Sequence, residues 1–119
     1  MPVIVEQEPM IKETISSIET KIKSADAISD DKKRELLQLF STLKSEVETF
    51  SETNDEQAQS IAGFTEISTH EATRSEQNPE LLQLSLKGLS SSVEGFEKSH
   101  PHLVQIVNAI SQTLSNLGI

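Results

Sequence analysis

The chain lacks cysteine, tryptophan and tyrosine, and it has only four glycines, four prolines and four phenylalanines among 119 residues. Without cysteine there is no disulfide, no thiolate nucleophile and no thiolate metal ligand, and nothing indicates an oxidising compartment. So few glycines and prolines argue against a protein built of strands and tight turns. The length fits one compact domain, residues 1–119. Hydrophobic residues make up 34% of the chain, so few positions are available to build its core.

Basic residues are also scarce, since 10 Lys and Arg stand against 19 Asp and Glu, which gives a net charge of −9. Affinity for nucleic acid comes largely from Lys and Arg, so we predict no nucleic-acid partner. No apolar run approaches the length of a membrane span, and the first residues lack the basic segment of a signal peptide. We therefore expect a cytoplasmic protein with no membrane partner.

Apolar residues recur at alternating intervals of four and three in four segments of the chain. An average interval of 3.5 residues is typical of helices that pack along a stripe of apolar side chains. The pattern predicts helices over 9–23, 30–51, 79–99 and 101–117. The stripes are Ile11, Ile15, Ile18 and Ile22; Leu36, Phe40, Leu43, Val47 and Phe50; Leu82, Leu86, Leu89, Val93 and Phe96; and Leu103, Val107, Ile110, Leu114 and Leu117.

The proposed helix starts carry capping residues. Ser29 precedes two aspartates, and Asn78 precedes Pro79, a residue suited to the first helical position. Pro101 separates the last two helices, because proline disfavours a helical residue before it. We predict an all-α fold, an antiparallel up-and-down bundle of four to five amphipathic helices with coiled-coil-like stripes. Residues 1–8 are expected to form a flexible N-terminal arm.

The segment 52–78 is harder to interpret. Thr53 and Glu56 have the spacing of a capping box, which indicates a helix start. The stripe that follows is small and partly polar, and the larger Phe64 and Ile67 lie off it. Two interpretations stay open, a weak and poorly buried third helix or an acidic linker.

The last predicted helix contains no Asp, Glu, Lys or Arg. Helices on the outside of a protein usually carry charged residues on their solvent-exposed face. We therefore expect the helix over 101–117 to be the most enclosed one, or to press against another subunit.

The narrow isoleucine stripe of the first helix and the leucines that lie off the main stripes favour self-association. We predict a homo-oligomer. The possible self-association surface comprises Ile11, Ile15, Ile18, Ile22, Leu37, Leu39, Leu81 and Leu84.

The sequence offers few candidate residues for a catalytic or metal-binding site. His70-Glu71 begins like a zinc-protease motif, but Arg74 stands where the second histidine would be. His100 and His102 flank a proline at a corner between helices, with no third metal ligand evident nearby. We predict that the protein is not an enzyme and has no cofactor and no metal site.

The C-terminal residues resemble a known family. Phe96-Glu97-Lys98-Ser99-His100-Pro101-His102-Leu103, followed by Leu114-Ser115-Asn116-Leu117-Gly118-Ile119, resembles the end of the bacterial domain of unknown function 4404 family. A weaker likeness covers Ser29 to Leu43, whereas residues 1–8 and 52–78 depart from the pattern. The resemblance implies a small bacterial helical protein and brings no catalytic residues.

The function predicted from these features is a non-enzymatic helical module for assembly or protein interaction that self-associates. Two alternatives stay open. The excess of carboxylates would suit an acidic decoy that binds a basic partner surface, and a helical bundle could also bind a metal or small ligand in its interior.

Overall fold

The computed structural model describes residues 7–117, with side chains from residue 11 onward. These residues form five helices and contain no strand, so the predicted all-α class is confirmed. Helix α1 begins two residues before the predicted start, and the first six residues of the predicted arm lie outside the described range. The helices are α1 (Gln7–Lys23), α2 (Asp30–Ser51), α3 (Asp55–Thr73), α4 (Pro79–Ser92) and α5 (Pro101–Leu117).

Two of the predicted helix starts are capped as expected. The Ser29 hydroxyl accepts a hydrogen bond from the backbone N–H of Lys32 at 3.3 Å, and the Asn78 side chain accepts one from the N–H of Leu81 at 3.2 Å. The predicted capping box is wrong, because Asn54 rather than Thr53 precedes α3 and its side chain makes no capping bond. Instead the Asn54 amide donates to the Thr53 hydroxyl at 2.9 Å.

Helix α4 ends at Ser92, seven residues before the predicted end at 99. The reason is a turn through Gly95, whose φ of 93° is a left-handed conformation that favours glycine. The Gly95 N–H donates to the Glu97 carboxylate at 3.0 Å. This turn brings the ring of Phe96 edge-on to Phe50, with 4.9 Å between ring centres. Phe96 therefore packs on the core from a turn, although its spacing suggested a continuous helix.

The four apolar stripes supply most of the core. Every residue of the isoleucine stripe in α1 is buried, as is every residue of the α2 stripe. In α4 and α5 the stripes are buried as far as Val93 and Leu114, whereas Phe96 and Leu117 are partly buried against them. The 4–3 spacing therefore identified the buried positions of these helices.

Helix α3 lies at the centre of the structure, where it packs against α1, α2, α4 and α5. The small, polar stripe that suggested weak burial is buried, because small side chains let four neighbouring helices approach the same helix closely. Its threonine hydroxyls are satisfied within the helix: Thr65 donates to the carbonyl of Ile61 at 2.7 Å, and Thr69 to that of Thr65 at 2.8 Å. The buried residues are Ala58, Ile61, Ala62, Thr65, Ser68, Thr69, Glu71 and Ala72.

Ser68 is the exception on this buried face, because its hydroxyl has no hydrogen-bond partner among the residues that the structure describes. We expect Ser68→Ala to raise the free energy of unfolding by about 1 kcal/mol, since the substitution removes an unpaired buried polar group. Ser85→Ala is the matched control, because the buried Ser85 hydroxyl donates to the carbonyl of Leu82 at 2.8 Å. Urea denaturation of both variants checks the prediction, and equal effects at the two sites would contradict it.

Candidate interaction surface

The eight residues predicted for self-association fall into three groups in the structure. Ile11, Ile15, Ile18 and Ile22 are buried in the core of the single chain, where α1 packs against α2 and α3. These side chains stabilise the fold and do not form an exposed surface. Leu37 and Leu39 of α2 are partly buried against the same core.

Leu81 and Leu84 of α4 form the third group, and they are exposed, by 41% and 65%. Two further hydrophobic residues are similarly exposed, Phe64 by 36% and Ile67 by 49%. Both belong to α3, the helix that packs most extensively against α4. We call Phe64, Ile67, Leu81 and Leu84 the apolar patch.

Phe64 connects the two helices of the apolar patch. Its ring lies directly over Gly88 of α4, so closely that a Cβ atom at Gly88 would stand 2.4 Å from a ring carbon. Only glycine permits this approach with the ring in place. Leu84 lies one helical turn before Gly88 on α4, and Ile67 lies about one helical turn after Phe64 on α3. The two exposed pairs therefore border the same junction of α3 and α4.

An open groove of about 740 Å³ extends along the outer face of α4 from the apolar patch. Leu84 is shared by the patch and the groove. The lining contains one acidic and one basic residue, and its other members are apolar or uncharged. The lining residues are Pro79, Glu80, Gln83, Leu84, Leu86, Lys87 and Ser90.

Leu86 also borders a second groove, which runs along α5. Its other lining residues are amides and hydroxyls: Asn108, Ser111, Gln112, Ser115 and Asn116. Three of these, Asn108, Gln112 and Asn116, are exposed, so the uncharged polar face of α5 lies at the surface of the single chain. The expected enclosure of this helix therefore applies only to its apolar face.

Charge is distributed very unevenly over the molecule. Glu80 and Lys87 are the only Asp, Glu, Lys or Arg residues in α4 and α5, so these two helices have no net charge. The chain as a whole has a net charge of −9. The surface that carries the two grooves is therefore electrostatically neutral, whereas the rest of the protein is strongly acidic.

None of the three histidines lines either groove. Nδ1 of His102 is 2.8 Å from the carboxylate of Glu46 on α2, and the ring of His100 packs edge-on to Phe50 at 4.8 Å between ring centres. His70 is exposed on α3. Within residues 11–117, no three His, Asp or Glu side chains come together in a way that would hold a metal ion.

The fold and this surface describe a small all-α protein with a neutral, partly apolar face. The chain belongs to the DUF4404 family, a domain of unknown function whose family model matches residues 36–119. This confirms the resemblance seen in the C-terminal residues, and the matched range also includes α3, which had been set apart from the family pattern. No curated protein and no solved structure shows significant similarity to the chain.

None of the helices in residues 7–117 combines the length and the apolarity that crossing a membrane requires.

The contact between Phe64 and Gly88 can be tested by a double-mutant cycle. In a Phe64→Ala background, Gly88→Ala is expected to stabilise the protein by about 1 kcal/mol, because alanine favours a helix more than glycine does. In the presence of Phe64, the new methyl group displaces the ring, and we expect this gain to be lost. Urea denaturation of the four proteins measures the coupling. Equal effects of Gly88→Ala in both backgrounds would contradict the close contact.

Proposed function

We propose that this protein is a non-enzymatic assembly module that self-associates through the outer face of α4 and the apolar patch. The observation that carries the proposal is the position of the four exposed hydrophobic side chains. Phe64, Ile67, Leu81 and Leu84 are the large hydrophobic residues exposed among residues 11–117, and they border one junction of two helices. Contiguous exposed apolar surface is typical of protein interaction sites.

Charge limits the face through which a second copy of this chain could bind. Two molecules with a net charge of −9 repel each other over most of their surfaces. The repulsion is weakest where α4 and α5 face outward, because these helices have no net charge. The apolar patch adjoins this neutral face, so hydrophobic attraction between two copies would act where their electrostatic repulsion is smallest.

The size of the patch indicates a weak and reversible association. Removing a half-exposed hydrophobic side chain from water contributes about 1 kcal/mol. Eight such side chains from two copies would therefore contribute about 8 kcal/mol, against a cost of association of at least about 4 kcal/mol. We expect oligomers that form and dissociate with protein concentration.

The proposal includes the finer architecture, an antiparallel bundle in which neighbouring helices run in opposite directions. Two features support it. The connections between α1 and α2, α2 and α3, and α3 and α4 are at most six residues long. Short connections of this kind join antiparallel neighbours. In addition, Phe64 and Gly88 lie equally far from the middle of the 74–78 connection, and they are in contact. This is expected when two helices run in opposite directions from a short connection.

Self-association through α4 is tested by Leu84→Asp, which places a carboxylate in the centre of the proposed contact. We expect the association to weaken by at least about tenfold, because burying an unpaired charge is costly. The fold is expected to survive, since Leu84 is 65% exposed. Sedimentation velocity over a wide range of protein concentration measures the effect, and thermal melting checks the fold.

Gln38→Asp is the matched control, because it adds the same charge at an exposed position on α2, a helix that makes no contact with α4. It is expected to leave association unchanged. A wild-type protein that stays monomeric throughout the concentration range would contradict the proposal, and so would equal weakening by the two variants. Ile15→Asp is unsuitable as a test, because Ile15 is fully buried and its substitution would unfold the chain.

A further inference from the structure

The two charged residues of α4 have a specific relation to its exposed leucines. Glu80 and Lys87 both line the groove on the outer face, with Leu84 between them. Seven residues correspond to about two helical turns, or about 10 Å along the helix, so the two charges lie on the same side. The face therefore presents one negative and one positive group at opposite ends of an apolar centre.

Leu81 and Leu84 lie about one helical turn apart on α4, and both are exposed. Glu80 immediately precedes Leu81, and Lys87 follows Leu84 by about one turn. In coiled coils, charged residues at such flanking positions set the orientation of the partner helix. The inner stripe of α4 is buried in the chain's own core, whereas Leu81, Leu84 and Ser91 are exposed.

We propose that two copies of this chain pair α4 against α4 in antiparallel orientation, about a twofold axis. Glu80 of each copy faces Lys87 of the other, and Leu81 of each copy packs against Leu84 of the other. This arrangement rests on the self-association proposed above and specifies its geometry. A twofold axis brings the same patch of both copies together, so each contact occurs twice.

Charge complementarity selects this orientation over the parallel one. In a parallel pair, equivalent residues lie at the same level, so that Glu80 would lie beside Glu80 and Lys87 beside Lys87. Like charges at close range are unfavourable, whereas the antiparallel pair matches both charges with their opposites. The four leucines lie between the two ion pairs, and the Phe64 ring over Gly88 lies at the edge of the contact.

Charge reversal tests the orientation. Glu80→Lys and Lys87→Glu each place like charges opposite one another twice in the dimer, and each is expected to weaken dimerisation by about tenfold. The double variant Glu80→Lys/Lys87→Glu restores both pairs and is expected to regain the wild-type dissociation constant. Sedimentation equilibrium measures dimerisation, and thermal melting of each variant checks that the fold is intact.

The single variants also separate this geometry from a simple effect of net charge. Glu80→Lys makes the acidic chain less negative, whereas Lys87→Glu makes it more negative. If net charge alone governed association, the first variant would strengthen the dimer and the second would weaken it. That result, or a double variant that stays as weak as the singles, would overturn the antiparallel pairing.

Cross-linking gives a second measurement that does not depend on charge, and the absence of native cysteine makes it specific. Glu80→Cys and Lys87→Cys chains are mixed and treated with a short bismaleimide. Antiparallel pairing predicts that cross-links between the two variants greatly exceed those within either variant alone. Cross-links within each variant would indicate a parallel pair and overturn the inference. The control is Gln38→Cys, which is expected to cross-link poorly.

These outcomes distinguish the two levels of the proposal. If the wild-type chain does not dimerise, the proposed self-association itself is wrong. If the wild-type chain dimerises and Leu84→Asp weakens the dimer, the proposed self-association is supported. If charge reversal and cross-linking then fail to give the predicted results, the antiparallel arrangement is wrong.

Discussion

The close approach of four helices to α3 is the constraint on which the rest of the structure depends. Helix α3 packs against α1, α2, α4 and α5, and its buried face consists mainly of small residues such as Ala58, Ala62 and Ser68. Large side chains at these positions would push the neighbouring helices apart and leave gaps between the apolar stripes. The large residues Phe64 and Ile67 are partly exposed, and Phe64 lies at the junction of α3 with α4. The packing of the core therefore determines where the apolar patch is found.

The sequence was sufficient to predict the parts of the fold that depend on one helix at a time. Spacing located the buried stripes, and capping residues such as Ser29 and Asn78 located helix starts to the residue. The end of α4 was missed because Phe96 continues the stripe in spacing, although Gly95 turns the chain before it. The central position of α3 was missed for a different reason. A small, partly polar stripe indicates weak burial when a helix has one neighbour, but it is what a helix with four neighbours requires.

The candidate interaction surface illustrates the same limit of prediction from sequence. The isoleucine stripe of α1 and the leucines of α4 both appear in the sequence as surplus apolar residues. They differ in whether another helix covers them: α2 and α3 cover the stripe containing Ile15, whereas nothing in the described chain covers Leu84. Sequence spacing carries no information about the number of neighbours, so it could not separate the two sets. Phe64 and Ile67 lie off the stripe of α3 in the sequence, and both are exposed in the structure.

An apolar patch alone would leave the geometry of a dimer undetermined, because the hydrophobic effect has no direction. In the proposed dimer the orientation has to come from charge. Acidic residues over most of the surface disfavour close approach elsewhere, so the neutral face of α4 and α5 is where two copies would meet at least electrostatic cost. Within these two helices, Glu80 and Lys87 are the only Asp, Glu, Lys or Arg residues, and a twofold axis between two copies would make each the partner of the other. In the proposed dimer, one short helix would supply both the attraction, through its leucines, and the orientation, through a single pair of charges two turns apart.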